Sequence, residues 1–413
     1  MTKYRIIGNM TGNSMDAIDL VLTDFNGADM RDVCTYSRPF LKSTQRDMEE
    51  LRTAVRGLDA ADILAMPRFH QIHDRYVAAV ADCVNDMCKK YGIDKAGVAA
   101  IGFHGKTLDH NPPSRALISG TVPYTLQIGS GQMLANLTGL RTVYDFRSDL
   151  IFNGYESAPL VGPHNAHVAH VCGDGCYYNG GNTSNFAWVI NGQSVISTDA
   201  GPFNEYIDNF IRDHTADVFD ADGKYGCTGR LNTDLLGRLF DVGAAFYSRA
   251  LPRSGDPQYY DKAVVFDIIR RAGVPFADAV CTLEYLAAYV AVHALSMTDV
   301  TYRLPSRFVL FGGGWKNPVV RAAFDSLLRG TGYVMPAHRD MFARFRARIG
   351  ASPVIEYSPL GEMMEARLFA DMARYRLMGR PWCDNTVCGV VATPNARAVI
   401  RDKVNRAARG WSR

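Results

Sequence analysis

Residues 4–25 read Tyr4-Arg5-Ile6-Ile7-Gly8-Asn9-Met10-Thr11-Gly12-Asn13-Ser14-Met15-Asp16-Ala17-Ile18-Asp19-Leu20-Val21-Leu22-Thr23-Asp24-Phe25. The apolar run Tyr4–Gly8 leads into a turn-prone stretch of amides and hydroxyls. From Ala17 the pattern alternates and puts Ile18, Leu20 and Leu22 on one face, the period of a strand. The segment therefore reads as a hairpin with a long polar tip. The pattern returns in mid-chain: Cys176-Tyr177-Tyr178 is a strand, Asn179-Gly180-Gly181-Asn182-Thr183-Ser184-Asn185 a polar tip, and Phe186–Ile190 a second strand. This repetition fits two related halves whose tips face a shared cleft. It also fits two ordinary hairpins, and the pattern alone leaves both open.

A third small-residue turn lies late, where Phe308-Val309-Leu310-Phe311 runs into Gly312-Gly313-Gly314 and then Trp315-Lys316-Asn317-Pro318. Glycine turns after strands let backbone N–H groups approach phosphate, and neighbouring Ser, Thr and Asn side chains add donors. No GxxxxGK[ST] occurs and no GxGxxG opens a helix, so this is neither a P-loop nor a dinucleotide fingerprint. Three such turns in this order suggest a nucleotide held between two lobes.

Working outward, Phe69, Ile72, Tyr76, Val80, Cys83 and Met87 recur at helical spacing. Short strands follow at Val98–Phe103 and Thr125–Gly129. Leu283, Leu286, Tyr289, Val290 and His293 mark a core-facing helix, with His293 read as a satisfied core histidine. Residues 362–377 form the last strong helix, stopped by Gly379 and Pro381. The chain is 413 residues long and 47% hydrophobic, enough for two sizeable cores. The expected division is 1–140 as a first lobe, joined by the late helix 362–380, and 141–361 as a second. Residues 383–413 form a basic tail, either a contact for a partner or anionic lipid or, the preferred reading, a solvated terminal helix.

A net charge of +3 gives no footprint for nucleic acid or a membrane surface. Apolar runs such as Phe308–Phe311 are too short to span a bilayer. The N-terminus turns polar after two isoleucines and does not read as a signal peptide. Nine cysteines without CxxC spacing read as reduced thiols of a cytoplasmic protein rather than zinc ligands.

Two carboxylates stand out. Asp199, in Asp199-Ala200-Gly201-Pro202, follows the strand Ser194–Ser197 and precedes a helix that Pro202 would open. An acid there caps the helix or serves as a general base. Glu365 shares a stripe with Leu368, Phe369 and Met372, and a carboxylate on a buried stripe needs a partner or a task. Asp145 and Arg147 pair with each other or bind a polyhydroxylated ligand.

Taken together, these segments resemble the anhydro-N-acetylmuramic acid kinase family of the actin/hexokinase-like superfamily, from Tyr4 to about Trp382. Gly8–Asp19 is similar to its G-x-M-S-G-T-S-x-D-G-x-D loop, and His104-Gly105-Lys106-Thr107 to its H-G-Q-T. TLQIG, DFR and APLV recur at Thr125–Gly129, Asp145–Arg147 and Ala158–Val161. Asp199–Asn204 is similar to D-T-G-P-G-N, Gly312–Pro318 to GGG-x-x-N-P, and Glu365-Ala366 to the late E-A. The resemblance implies an α/β, two-lobed, duplicated (ribonuclease H-like) fold with a central nucleotide cleft. It implies ATP, Mg²⁺, a 1,6-anhydro amino sugar from cell-wall turnover, and a homodimer. Asp199 would activate water at the anomeric carbon, with Glu365 assisting. Gly12, Asn13, Ser14, Asp16, Asp19, Gly181, Asn182, Gly312, Gly313, Gly314 and Asn317 would hold the nucleotide. Asp16 is the candidate protein contact for Mg²⁺, and His104, Asp145, Arg147 and Pro159 would hold the sugar. The chain departs from the family's motifs at Lys106, Ser130, Glu156, Asn182, Ala200, Phe203 and Asp256. These positions leave two alternatives: a kinase for another anhydrosugar, or a weakened sugar-binding homologue.

Overall fold

The computed structural model describes residues 3–12, 15, 17–255, 261–299, 303–358, 360–361 and 363–410. Its contacts divide the chain into two units, 1–164 with 363–413 and 165–362. The first unit carries β1 (Lys3–Met10), β2 (Ala17–Asn26), β3 (Asp29–Pro39), β4 (Ala100–Phe103), β5 (Lys106–Asn111), β6 (Tyr124–Ile128) and β7 (Thr142–Tyr144). The second carries β8 (Gly175–Gly180), β9 (Thr183–Ile190), β10 (Gln193–Pro202), β11 (Arg307–Phe311) and β12 (Val354–Tyr357), and the chain then returns to the first unit with β13 (Val390–Ala392).

The sheet of the first unit has the order β13-β7-β4-β1-β2-β3, and that of the second β10-β9-β8-β11-β12. In both, three antiparallel strands are extended past the first of them by two parallel strands. This shared connectivity is the duplicated ribonuclease H-like α/β topology of the actin/hexokinase-like class, so the two hairpins are related halves. The boundary falls at 164/165 rather than 140/141, because β7 pairs parallel with β4 and carries the following segment into the first unit.

Helix Pro67–Tyr91 forms as its spacing requires, with Phe69, Ile72, Tyr76, Val80, Cys83 and Met87 buried. Gly92, at φ 61°, ends it in the left-handed conformation that glycine adopts without a Cβ penalty. The late helix Met364–Leu377 lies across the first unit's sheet. A β-carbon at Gly8 would overlap the carbonyl of Ala366, and one at Gly102 the carbonyl of Phe369. The two strand glycines thus let helix backbone rest on sheet backbone. Polar contacts fix the helix as well: Arg367 Nε donates to Asp32 Oδ1 at 2.9 Å and Arg374 Nη1 to the Gly27 carbonyl at 2.9 Å.

The tail is a correction to the sequence reading. Its last stretch is no solvated helix: β13 pairs antiparallel with β7, and Val404 bridges Ile128 on the edge of β6. Amphipathic periodicity carries no information about such a segment, because its partners are backbone groups remote in sequence.

In the second unit, helix Phe276–Ser296 is long and apolar enough to cross a membrane by length and composition, which the short strand runs did not suggest. Residues Leu283–Leu295 are buried in the unit's core. His293 is in that core, but its Nδ1 has no hydrogen-bond partner among the described residues, so it is not satisfied as expected. Burial lowers its pKa to about 3, and it packs neutral against Phe240 and His338. All nine cysteines are free thiols.

Candidate active site

In the second unit the tip between β8 and β9 is tighter than read, since the strands run through Gly180 and Thr183 and leave Gly181-Asn182 as the turn. The Asn182 carbonyl accepts from Phe203 N at 2.8 Å and Glu205 N at 3.3 Å, and the Gly181 carbonyl from Asn204 N at 3.1 Å. These bonds satisfy the first N–H groups of helix Asn204–His214. Pro202 is the last residue of β10 rather than the first of the helix.

Asp199 therefore lies inside β10, with 9% of its surface exposed. Its Oδ2 accepts from the Gly255 N–H at 2.6 Å. The backbone around it is held by Arg253, a residue the sequence reading passed over. Arg253 is 1% exposed and donates to the carbonyls of Asp199 (3.3 Å), Ala200 (3.0 Å) and Tyr247 (2.8 Å). A charged residue this deep is tolerable only because carbonyl oxygens surround it, and burial lowers its pKa to about 10. Phe203, where the family has glycine, turns into the core and packs 4.7 Å from the Trp315 ring. Ala200 is also buried. Asp256 lies outside the described residues.

The Gly312–Gly314 turn follows β11. Gly312 has φ 92°, and a β-carbon there would meet Asn179 Oδ1 and the Gly180 carbonyl. At Gly313 nothing among the described residues lies within 4 Å of an added β-carbon, so that face of the turn is open to them. Asn317 caps the next helix, with Oδ1 accepting from Val319 N (2.9 Å) and Val320 N (3.2 Å). Its Nδ2 donates to Glu284 Oε1 at 2.5 Å. Glu284 is fully buried, and burial followed by the neighbouring Asp220 carboxylate raises its pKa to about 9. A carboxylate within the apolar run that follows the first turn of its helix was the available signal for it.

In the first unit, the described part of the first tip is reached by Lys106, whose Nζ donates to the Gly12 carbonyl at 2.8 Å. Asn13, Ser14 and Asp16 lie outside the described residues. Asp19, on β2, accepts from Ser37 Oγ at 2.7 Å. His104 is 5% exposed, and burial holds its pKa well below the usual value, with Arg147 and Lys106 adding to the effect. Its Nε2 lies 3.1 Å from Gln127 Nε2 and 3.4 Å from Arg147 Nε. His104 Nδ1 and Gln127 Oε1 are buried without a hydrogen-bond partner among the described residues. Arg147 Nη1 also donates to the Ser157 carbonyl, beside the cis Ala158–Pro159 bond. Glu365 is half-buried in the first turn of the late helix. Burial raises its pKa, the Asp19 charge adds to the rise, and Arg147 opposes it. His104, Arg147, Asp19 and Glu365 thus form one electrostatically coupled group.

Two departures from the motifs are structural. Ser130 caps helix Gly131–Thr138, its Oγ accepting from Met133 N at 3.1 Å, and Glu156 accepts from Ser114 N at 2.9 Å and Ser114 Oγ at 2.7 Å.

The sequence model of the anhydro-N-acetylmuramic acid kinase family matches residues 4–340. The chain belongs to this family. As a member of the anhydro-N-acetylmuramic acid kinases it is an ATP-dependent sugar kinase with a small-molecule sugar as substrate. Among solved structures, component A of (R)-2-hydroxyglutaryl-CoA dehydratase from Acidaminococcus fermentans is 12% identical, covering 91% of this chain and 100% of that one, with a TM-score of 0.43. The ROK hexokinase of Thermus thermophilus is 16% identical, covering 89% and 97%, with a TM-score of 0.35.

Proposed function

We propose that this kinase acts on 1,6-anhydro-N-acetylmuramic acid, opening the anhydro bridge with water and phosphorylating O6 to give N-acetylmuramic acid 6-phosphate. The observation that carries the reading is Asp199. Its carboxylate is held by the Gly255 N–H, while the adjacent helix start is satisfied by Gly181 and Asn182. A carboxylate near the end of β10, beside rather than within the cap of that helix, is where a base is assigned in this reading.

In this reading Asp199 takes a proton from water, and the water oxygen bonds to C1. The C1–O6 bond breaks, and the freed O6 accepts the phosphoryl group. ATP, when bound with Mg²⁺, supplies the γ-phosphoryl group and leaves as ADP. The Gly312–Gly314 turn fits a nucleotide: its Gly313 face is open, and Gly312 has no room for a side chain. Gly12, Asp19 and Asn317 are assigned to the nucleotide with it, together with Gly181 and Asn182. Asn13, Ser14 and Asp16 keep the same assignment, Asp16 towards Mg²⁺. His104, Asp145, Arg147 and Pro159 are assigned to the sugar, and Glu365 assists at the anomeric carbon. A cytoplasmic homodimer acting in cell-wall sugar recycling completes the proposal.

The test is a coupled ADP-release assay over 1,6-anhydro-N-acetylmuramic acid, 1,6-anhydro-N-acetylglucosamine, levoglucosan and free N-acetylmuramic acid, with the products identified by mass. The first substrate should give the highest kcat/KM and a 6-phosphate with an opened ring. Faster turnover of the free sugar, or of levoglucosan, would overturn the assignment.

A further inference from the structure

Residues beyond 340 lie outside the family match, yet the last of them are built into the first unit at the residues assigned to the sugar. The segment 403–407 runs along the free edge of β6. Gly129 N donates to the Lys403 carbonyl (3.3 Å), Asn405 N to the Gln127 carbonyl (3.1 Å) and Thr125 N to the Ala407 carbonyl (3.1 Å). Because β5 occupies the other edge of β6, the segment makes a third strand-like layer beside that hairpin.

Asn405 turns inward, while Arg406 stays exposed and reaches back to two carboxylates. Asn405 is 6% exposed. Its Oδ1 accepts from Gln127 N at 2.7 Å and its Nδ2 donates to Ser148 Oγ at 2.9 Å. Ser148 Oγ in turn donates to Asp145 Oδ1. Arg406 Nε donates to Asp145 Oδ2 at 2.7 Å, and its Nη2 to Asp149 Oδ2 at 2.7 Å. Asp145 is therefore occupied by the tail rather than presented bare to a ligand. Asn405, His104, Gln127 and Asp145 also line one small cavity of about 10 Å³. Across that cavity are the two orphaned buried atoms, His104 Nδ1 and Gln127 Oε1. Buried polar atoms without partners are costly and mark places where a ligand can supply the missing bond.

We propose that Asn405 and Arg406 are positioning residues of the sugar site: Asn405 sets the β6 backbone that carries Gln127, and Arg406 fixes the Asp145 turn that carries Arg147. The inference rests on the sugar assignment made above for His104 and Arg147, with Asp145 acting through its turn rather than on the ligand. The tail thereby takes part in choosing the sugar, while the nucleotide turns of the second unit are independent of it.

The experiment uses the full-length chain with Asn405→Ala, Asn405→Asp and Arg406→Ala, and His104→Ala as a separate reference. Each protein is characterised by thermal melting, by calorimetric binding of 1,6-anhydro-N-acetylmuramic acid and by KM for sugar and for ATP. The Asn405 and Arg406 variants should weaken sugar binding and raise sugar KM at least tenfold, with ATP KM within twofold. Asn405→Asp retains the acceptor for Gln127 N but loses the donor to Ser148, and should fall between Asn405→Ala and wild type. Variants that melt lower yet keep sugar KM within twofold would overturn the proposal and leave the tail a structural clasp. If His104→Ala also leaves sugar binding unchanged, or the wild type does not bind this sugar, the underlying site assignment fails and the proposal falls with it. If only His104→Ala weakens binding, the site stands and the role of the tail is refuted.

Discussion

The backbone N–H of Gly255 meets the Asp199 carboxylate at 2.6 Å, from a segment that Arg253 pins to the same stretch of β10. The contact ties the carboxylate to the 253–255 segment rather than to the helix that follows. Helix Asn204–His214 begins beyond β10, and its first N–H groups bond to carbonyls of the Gly181-Asn182 turn.

Asp199→Asn should accordingly lower kcat by about 10²–10⁴, the usual share of a general base. The amide oxygen can still accept from Gly255, so the melting temperature should move little. KM for ATP should stay near wild type, because the loss falls in the transition state. Steady-state kinetics that give kcat within about threefold of wild type would remove Asp199 from the chemistry.

The two neighbouring glycines of the late turn should respond differently. Gly313→Val enters open space, so the variant should fold normally and lose nucleotide affinity by about tenfold, or about 1.4 kcal/mol. Gly312→Ala forces a side chain onto φ 92° and into Asn179, at a cost of about 1–3 kcal/mol in stability. Calorimetry with a non-hydrolysable ATP analogue and denaturant melts distinguish the two effects.

Arg253→Met removes donors from several buried carbonyls. Each bond to a charged group contributes about 1.5–3 kcal/mol, so a loss of at least about 3 kcal/mol is expected in urea unfolding. Reduced kcat in the surviving folded fraction should accompany it, since the Asp199 and Ala200 carbonyls lose their anchor.

Glu284 gives a pH signature. Its folded pKa, about 9, exceeds the ordinary 4.5, so the folded state holds a proton that the unfolded state releases. The associated stability is full below about 4.5 and declines as pH rises towards 9. The slope cannot exceed about 1.4 kcal/mol per pH unit for one group. Glu284→Gln keeps an acceptor for Asn317 Nδ2 without ionising. Its melting temperature should therefore fall less between pH 5 and pH 9 than that of wild type, and parallel curves would refute the assignment.

How much was legible follows from the kind of signal each element carries. The hairpins, helix Pro67–Tyr91 and the glycine turns were readable because periodicity and turn chemistry are local. Asp199 and Glu365 were visible as acids in unusual places, and the geometry around Asp199 then showed that the following helix takes its first acceptors from Gly181 and Asn182. The tail was misread because Asn405 and Arg406 gain their meaning only from Gln127, Ser148 and Asp145, all remote in sequence. Arg253 was passed over for the same reason, since the carbonyls it serves belong mainly to β10 and to the turn around Tyr247.

The glycine-floored contact between the late helix and β1 and β4 also sets an order on biosynthesis. Residues 1–164 leave the ribosome early, but the helix that rests on Gly8 and Gly102 is not translated until residues 364–377. The second unit is continuous and can condense while the first still waits for its cover. Domains generally fold as units in the order of their synthesis, and in this chain the first to begin is the last that can finish. Until then the nascent chain displays an uncovered sheet face with Ile6 and Val21 beside those glycines, a surface for chaperones to shield.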